Sequence, residues 1–172
     1  MKGKQTIWDM VRSLAVIGVV VGGIYLAVPH DDKADPTVVV DYRIETLTAR
    51  RAAPYPVGSP VGLGKEWRAT SVTYDRRAAN AWHLGLLDPR GQYAAVEQSS
   101  DTSQKYVEKV TQKAGATGAT QRVGELTYER WDGPKYDALV RREQGYVTVV
   151  TGTGSFEELG ELAAALEFKQ GG

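Results

Sequence analysis

The chain has 172 residues, 21 basic and 21 acidic side chains, a net charge of zero and no cysteine. Removing the first twelve residues, with three basic groups and one acidic, leaves 18 basic against 20 acidic, so there is no basic field to draw nucleic acid. Without cysteine the fold cannot use disulfides, yet the chain is long enough to bury a core in one domain.

The first element is Ser13 to Val28, sixteen consecutive residues without a charge. As a helix it would rise roughly 24 Å, short of the roughly 30 Å hydrocarbon core of a bilayer. Met10, Val11 and Pro29 extend the apolar run, and Arg12 can bury its stem while lifting its guanidinium to the headgroups. This predicts a transmembrane signal anchor over residues 10–29, and hence the lipid bilayer as a partner. Lys2, Lys4 and Arg12 outweigh Asp9 upstream, whereas Asp31, Asp32 and Asp35 outweigh Lys33 downstream. Positive charge stays inside, which puts 1–9 in the cytoplasm, 30–37 as a linker and 38–172 as an extracytoplasmic domain of a single-pass protein in the cell membrane.

The rival reading is a cleaved signal peptide, but its cleavage site would be Ala27-Val28-Pro29, a poor match. A helix buried in a soluble core is disfavoured because Gly18, Gly22, Gly23 and a run of valines make a weak helix in water and a stable one in lipid. Gly18 and Gly22 form a Gly-x-x-x-Gly pair, through which two such helices could make a homodimer.

Beyond the linker, Val38, Val40, Tyr42 and Ile44 alternate with polar residues and predict a half-buried strand. Pro54 to Gly64 holds three prolines and three glycines in eleven residues, which excludes a regular helix or central strand and predicts a long ordered loop. Trp67 to Tyr74 reads as a strand. Trp82 to Leu87 and Gln92 to Gln98 read as a hairpin across the turn Asp88-Pro89-Arg90-Gly91. A helix capped at Asp101 then runs until Gly115, and Gly115 to Gln121 reads as a loop. Three strands follow, Val123 to Trp131, Tyr136 to Arg142 and Tyr146 to Thr151, joined by tight turns with glycine. Ser155 and Glu158 form a capping box for a last helix whose apolar stripe is Phe156, Leu159, Leu162, Ala163 and Leu166. The predicted class is α+β: after the transmembrane helix, a mostly antiparallel sheet of five or six strands with two amphipathic helices packed on it.

Signals for chemistry are sparse. His83 is the one histidine of the outer domain, too few for a metal site, and Glu97 on the partner strand could pair with it. Ser155 lies in Gly-Thr-Gly-Ser-Phe, which fits neither a phosphate loop nor a hydrolase elbow and is explained by a helix cap. Glu97, Asp101, Glu125 and Glu129 could supply a carboxylate pair, though spacing alone brings no two together. Strand aromatics are expected in the core, the other reading being a ligand groove. The expectation is no catalytic residue, no cofactor and no metal, with Trp82, His83, Tyr93 and Glu97 as candidate ligand or partner contacts.

Five pieces of sequence carry a resemblance: Pro54-Tyr55-Pro56-Val57, Trp67-Arg68-Ala69-Thr70-Ser71-Val72, Trp82-His83-Leu84-Gly85, Tyr93-Ala94-Ala95-Val96-Glu97-Gln98 and Thr151-Gly152-Thr153. Together they resemble an uncharacterised family of single-pass membrane proteins of high-GC Gram-positive bacteria, a domain of unknown function. The resemblance implies the topology and the compartment and transfers no site residue. The order of elements is also similar to small envelope domains of the PsbP-like type, a likeness of pattern only. Two functions stay open: a non-enzymatic binding or assembly role in the cell envelope, towards a protein, lipid or wall component, or an enzyme of unrecognised type acting on an envelope substrate.

Overall fold

The computed structural model describes residues 10–12, 14, 16, 17, 21 and 39–171. The chain divides into an N-terminal unit, 1–36, and a second unit, 37–172. In the first, the described residues are helical, and Met10, Val11, Leu14, Val16, Ile17 and Val21 are all exposed. Among the described residues no helix is long and apolar enough to cross a membrane. Most of the 10–29 span, the Gly18–Gly22 pair and the 30–37 linker lie outside the described residues.

The second unit is α+β. Seven strands form one antiparallel sheet in the order β2-β3-β4-β8-β7-β6-β5. They are β2 (Arg68–Asp75), β3 (Ala81–Leu87), β4 (Tyr93–Ser99), β5 (Gly115–Val123), β6 (Leu126–Asp132), β7 (Asp137–Glu143) and β8 (Tyr146–Gly152). Two meanders, β2-β3-β4 and β5-β6-β7-β8, join where β4 pairs with β8. A separate ribbon pairs β1 (Val57–Pro60) with β9 (Leu166–Lys169). Three helices complete the unit: α1 (Arg43–Ala52), α2 (Gln104–Val110) and α3 (Phe156–Ala164).

The predicted hairpin is present, with Trp82 opposite Gln98 and Leu87 opposite Tyr93. The Ser155–Glu158 capping box forms as well, each partner accepting the other's backbone N–H. Four local readings are corrected. The alternation from Val38 does not continue as a strand, because Arg43–Ala52 is helical. In a helix, Tyr42, Thr46, Ala49 and Ala53 fall on one stripe, and Thr46, Ala49 and Ala53 are buried there while Ile44 points out. Glu45 in the first turn and Arg50 and Arg51 in the last suit the helix dipole. The stop comes from Pro54, which forces Ala53 into extended backbone.

Secondly, the proline-rich segment is more than a loop. Val57–Pro60 is a buried strand, compatible with its prolines because it belongs to a two-stranded ribbon with Pro60 at its end. Thirdly, Gly115–Gln121 is part of edge strand β5, whose register breaks between Ala116 and Thr120 and whose side chains are mostly exposed. Small residues gave it no apolar alternation to read. Fourthly, both amphipathic helices end earlier than their stripes imply. The second closes at Ala164, and Leu166 begins β9. The first is capped by Ser103, Asp101 accepting the Ser103 N–H instead, and ends at Val110. The two expected helices and five or six strands thus become three helices and nine strands among the described residues of the second unit.

Alternation along each strand sends side chains to two faces. One face carries Trp82, Leu84, Leu86, Val96, Leu139 and Val150 and is covered by α1, α3 and the β1–β9 ribbon. Two buried polar groups hold the ribbon down. Trp82 Nε1 donates to the Gly58 carbonyl at 3.1 Å, and Gln98 Oε1 accepts from the Gly58 N–H at 2.7 Å. Gln98 Nε2 donates to the Pro56 carbonyl and to Thr148 Oγ1. The other face packs Val107 and Ala114 on Trp131, Ala138, Val140, Val147 and Val149. That second core lies on β6, β7 and β8, and β2, β3 and β4 use the same face differently.

Candidate functional site

β2 is one edge of the sheet, and β3 and β4 follow it. On β3, His83 and Gly85 alternate with the buried Trp82, Leu84 and Leu86 and so face away from the main core. Register then fixes their neighbours: His83 stands opposite Glu97, and Gly85 stands between Ser71 on β2 and Ala95 on β4. Backbone pairing alone therefore gathers serine, histidine and glutamate on one patch of sheet.

The side chains connect. His83 Nδ1 lies 2.6 Å from Glu97 Oε1, and His83 Nε2 lies 2.7 Å from Ser71 Oγ. Because the carboxylate can only accept, it places the ring proton on Nδ1, which leaves Nε2 as acceptor for the Ser71 hydroxyl. The His83 and Glu97 side chains keep 26% and 12% of their surface exposed. Burial, the largest influence on His83, disfavours the imidazolium, but the hydrogen bond and charge of Glu97 outweigh it and hold His83 above its ordinary range.

Two features of the backbone make these contacts. A side chain at position 85 would block them, since an added Cβ would overlap Ser71 Oγ and stand 3.3 Å from both His83 Nε2 and Thr70 Oγ1. Glycine leaves the space through which Ser71 reaches diagonally to the histidine. The second feature is a break in register between Ala69 and Ser71, which leaves Thr70 without a partner on β3. At such a bulge two successive side chains serve one position of the neighbouring strand, and here Thr70 and Ser71 both bring a hydroxyl over Gly85.

Tyrosines border the patch. Tyr93 is two residues beyond Ala95 on the same face of β4, with its ring centroid 5.5 Å from that of Tyr136. Burial pushes its phenol up to about 12, with the charges of Glu97 and Tyr136 adding to the effect. From α2, Tyr106 is raised by burial first and by Glu97 next, and its hydroxyl is buried without a hydrogen-bond partner among the described residues.

Of the four residues expected to meet a ligand, His83 and Glu97 are joined directly and Tyr93 shares their face. Trp82 is not with them: it is fully buried on the opposite face, bound to Gly58. Ser155 caps α3 and is absent from the patch. The other candidate carboxylates each have a partner, Asp101 the Ser103 N–H, Glu125 the guanidinium of Arg122 and Glu129 the indole Nε1 of Trp131. Among the described residues no cluster of three histidines or acids could hold a metal. Sequence reasoning missed Ser71, Thr70 and Gly85. The hydroxyl-rich run Thr70-Ser71-Val72-Thr73 was visible, but nothing in it announces a bulge.

A cavity lies on the other side of the sheet. It encloses about 390 Å³ between α1 and the β1–β9 ribbon, lined by Tyr42, Thr46, Leu47, Arg50, Ser59, Pro60, Val61 and Glu167, with Arg43 at its mouth. Arg43 is held by Asp41 and Glu167 by Lys169. Arg50 has no carboxylate partner among the described residues; it donates to Ser59 Oγ at 2.7 Å while its Nε has no partner. Leu47 and Val61 in this groove expose 53% and 58% of their surface. A second cavity, lined by Val39 to Arg43, adjoins it.

No curated protein and no solved structure matches the chain, so the PsbP-like order of elements stays a likeness of pattern. One family model does match, over residues 2–166, described as a protein of unknown function, DUF4245. That span covers nearly the whole sequence, and the chain belongs to this family.

Proposed function

We propose that the chain is a membrane-tethered extracytoplasmic domain with a binding role in the cell envelope, and that its ligand is an anionic lipid taken into the groove beside α1. The groove carries this reading. Apolar Leu47, Pro60 and Val61 line it, exposed Val39 lines the adjoining cavity, and Arg50 stands inside with no ion-paired carboxylate among the described residues. Isolated apolar side chains on a surface need no explanation, but several bordering one cavity beside an arginine match an acyl chain and its charged head. The proline-rich segment supplies one wall, so its rigid backbone presents Ser59, Pro60 and Val61 at a fixed place.

The tether is supported by the sixteen uncharged residues of Ser13 to Val28 and by the exposed, helical Met10, Leu14, Val16, Ile17 and Val21. Pairing of two chains through Gly18 and Gly22 fits the same segment. Orientation is directly measurable, because a chain without cysteine gives no background to thiol labelling. A membrane-impermeant maleimide on intact cells labels Thr117→Cys and spares Thr6→Cys; the reverse pattern, or labelling of neither, refutes the outward domain.

For the groove, the full chain is reconstituted in nanodiscs containing a photoactivatable phosphatidylglycerol. Crosslinks map to 42–61 and fall at least fivefold in Leu47→Glu and Arg50→Glu. Crosslinks confined to 10–29 would remove the lipid reading while leaving the tether intact. The second reading, an enzyme acting on an envelope substrate, is favoured by the contact of Ser71, His83 and Glu97.

A further inference from the structure

We propose that Ser71, His83 and Glu97 form a nucleophilic site for acyl transfer, with Ser71 Oγ attacking the carbonyl of a carboxylic ester. Each contact has the sense that such chemistry needs. Glu97 takes Nδ1 at 2.6 Å and fixes the tautomer; Nε2, freed as a base, meets the hydroxyl at 2.7 Å. The roles are recognised by this geometry, whichever fold supplies it.

A structural hydrogen bond between neighbouring strands would need only register. This one needs two departures from regular sheet, the glycine at 85 and the bulge at Thr70, both at the same point. Bulges re-aim side chains and are concentrated next to active sites. The bulge also supplies Thr70, whose hydroxyl reaches the space above Gly85 and is placed to donate to a developing oxyanion. Access comes through the part-exposed histidine, because the edge of β2 beside the bulge is taken by the Val40 N–H, which donates to the Ala69 carbonyl at 2.9 Å. Gly85 and Ala95 stand side by side as the floor, and neither extends past Cβ.

In the first half-reaction Ser71 gives its proton to Nε2 as the bond from Oγ to carbon forms, and the carbonyl electron pair moves onto oxygen. The tetrahedral adduct collapses, the bond to the alcohol breaks, and the alcohol leaves with the proton from Nε2. Water then attacks acyl-Ser71 and passes a proton to Nε2; as the second adduct collapses the bond from carbon to Oγ breaks, Nε2 returns that proton to Oγ, and the acid leaves with the Ser71 hydroxyl restored. Glu97 keeps its charge throughout and steadies the imidazolium in both halves.

The test uses the full chain in detergent, treated with a fluorophosphonate and separately with p-nitrophenyl acetate. The wild type gains one phosphonyl adduct, which peptide mass spectrometry places on Ser71. Acetate release is lost in Ser71→Ala and His83→Ala and falls at least a hundredfold in Glu97→Gln, while Ser155→Ala is unchanged. The adduct is read on the wild type, so the outcome does not depend on the variants folding. An excess of reagent that leaves Ser71 unmodified, or an adduct on Ser71 that forms equally fast in folded Glu97→Gln, overturns the proposal. Lipid in the groove is read separately, on the opposite face of the sheet.

Discussion

Replacing Gly85 by alanine tests the geometry of the patch most directly. The new Cβ would fall on Ser71 Oγ and press within 3.3 Å of His83 Nε2 and Thr70 Oγ1, so something must move. Gly85 is buried between its neighbours, and overpacking at such a position costs about 1–3 kcal/mol. The cheapest relief is rotation of Ser71 away from His83, which forfeits a hydrogen bond worth about 0.5–1.5 kcal/mol. Together the expected loss is about 2–4 kcal/mol. The sharper expectation concerns the pair. In Ser71→Ala the colliding oxygen is already gone and the same hydrogen bond is already lost, so adding Gly85→Ala costs much less there than in the wild type. Urea unfolding of the wild type, both single variants and the double variant closes the cycle. The reasoning requires a coupling of about 1.5–3 kcal/mol favouring the double variant. Additivity within about 0.5 kcal/mol would mean that Ser71 Oγ does not occupy the space over Gly85, and the acyl-transfer proposal would fall with it.

Gln98 is fully buried and holds the β1 strand through Gly58 and Pro56 while reaching Thr148. Gln98→Ala strands three groups without partners, and at the lower end of about 1–3 kcal/mol apiece a loss of at least about 3 kcal/mol and a fall in Tm of roughly 10 °C or more are expected by circular dichroism, with faster amide exchange at Gly58. Stability should also depend on pH through His83, whose folded value is raised above its unfolded one. The sign follows: the folded protein binds the extra proton, so this stabilisation is complete below about pH 6.5 and is lost as pH rises through the folded value. Glu97→Gln flattens the dependence of urea midpoints over that window; an unchanged slope would show that the pair does not titrate as a unit.

The parts of the fold that were legible in the sequence are those whose signals are local. Alternation and a turn with proline at its second position gave the β3–β4 hairpin, and Ser155 with Glu158 gave the start of α3. What was not legible depends on partners distant in sequence. Val57–Pro60 is a strand only because β9 arrives more than a hundred residues later, and Leu166 leaves its helix stripe for the same pairing. Val38 to Ile44 alternates like a strand, yet the stripe of Thr46, Ala49 and Ala53 wins because those residues bury a whole face against β1 and β2. The site divides in the same way. His83 and Glu97 could be proposed as a pair because a hairpin fixes register locally, whereas Ser71 joins them through a bulge that no residue type announces.

The two faces of β3 are independent in chemistry and linked in geometry. Residues 82, 84 and 86 belong to the main core and 83 and 85 to the polar patch, so a one-residue slip of β3 would exchange them and bury the histidine among hydrocarbons. The core prevents this. Trp82 is tied to Gly58 from β3 and Gln98 to the same residue from β4, and Trp82 and Gln98 are themselves register partners. A single backbone unit of β1 thus pins the strand pair that carries His83 and Glu97. The proline-rich segment therefore acts twice, walling the groove with Ser59 and Pro60 and, through Gly58, setting the register on which the serine, histidine and glutamate contact depends.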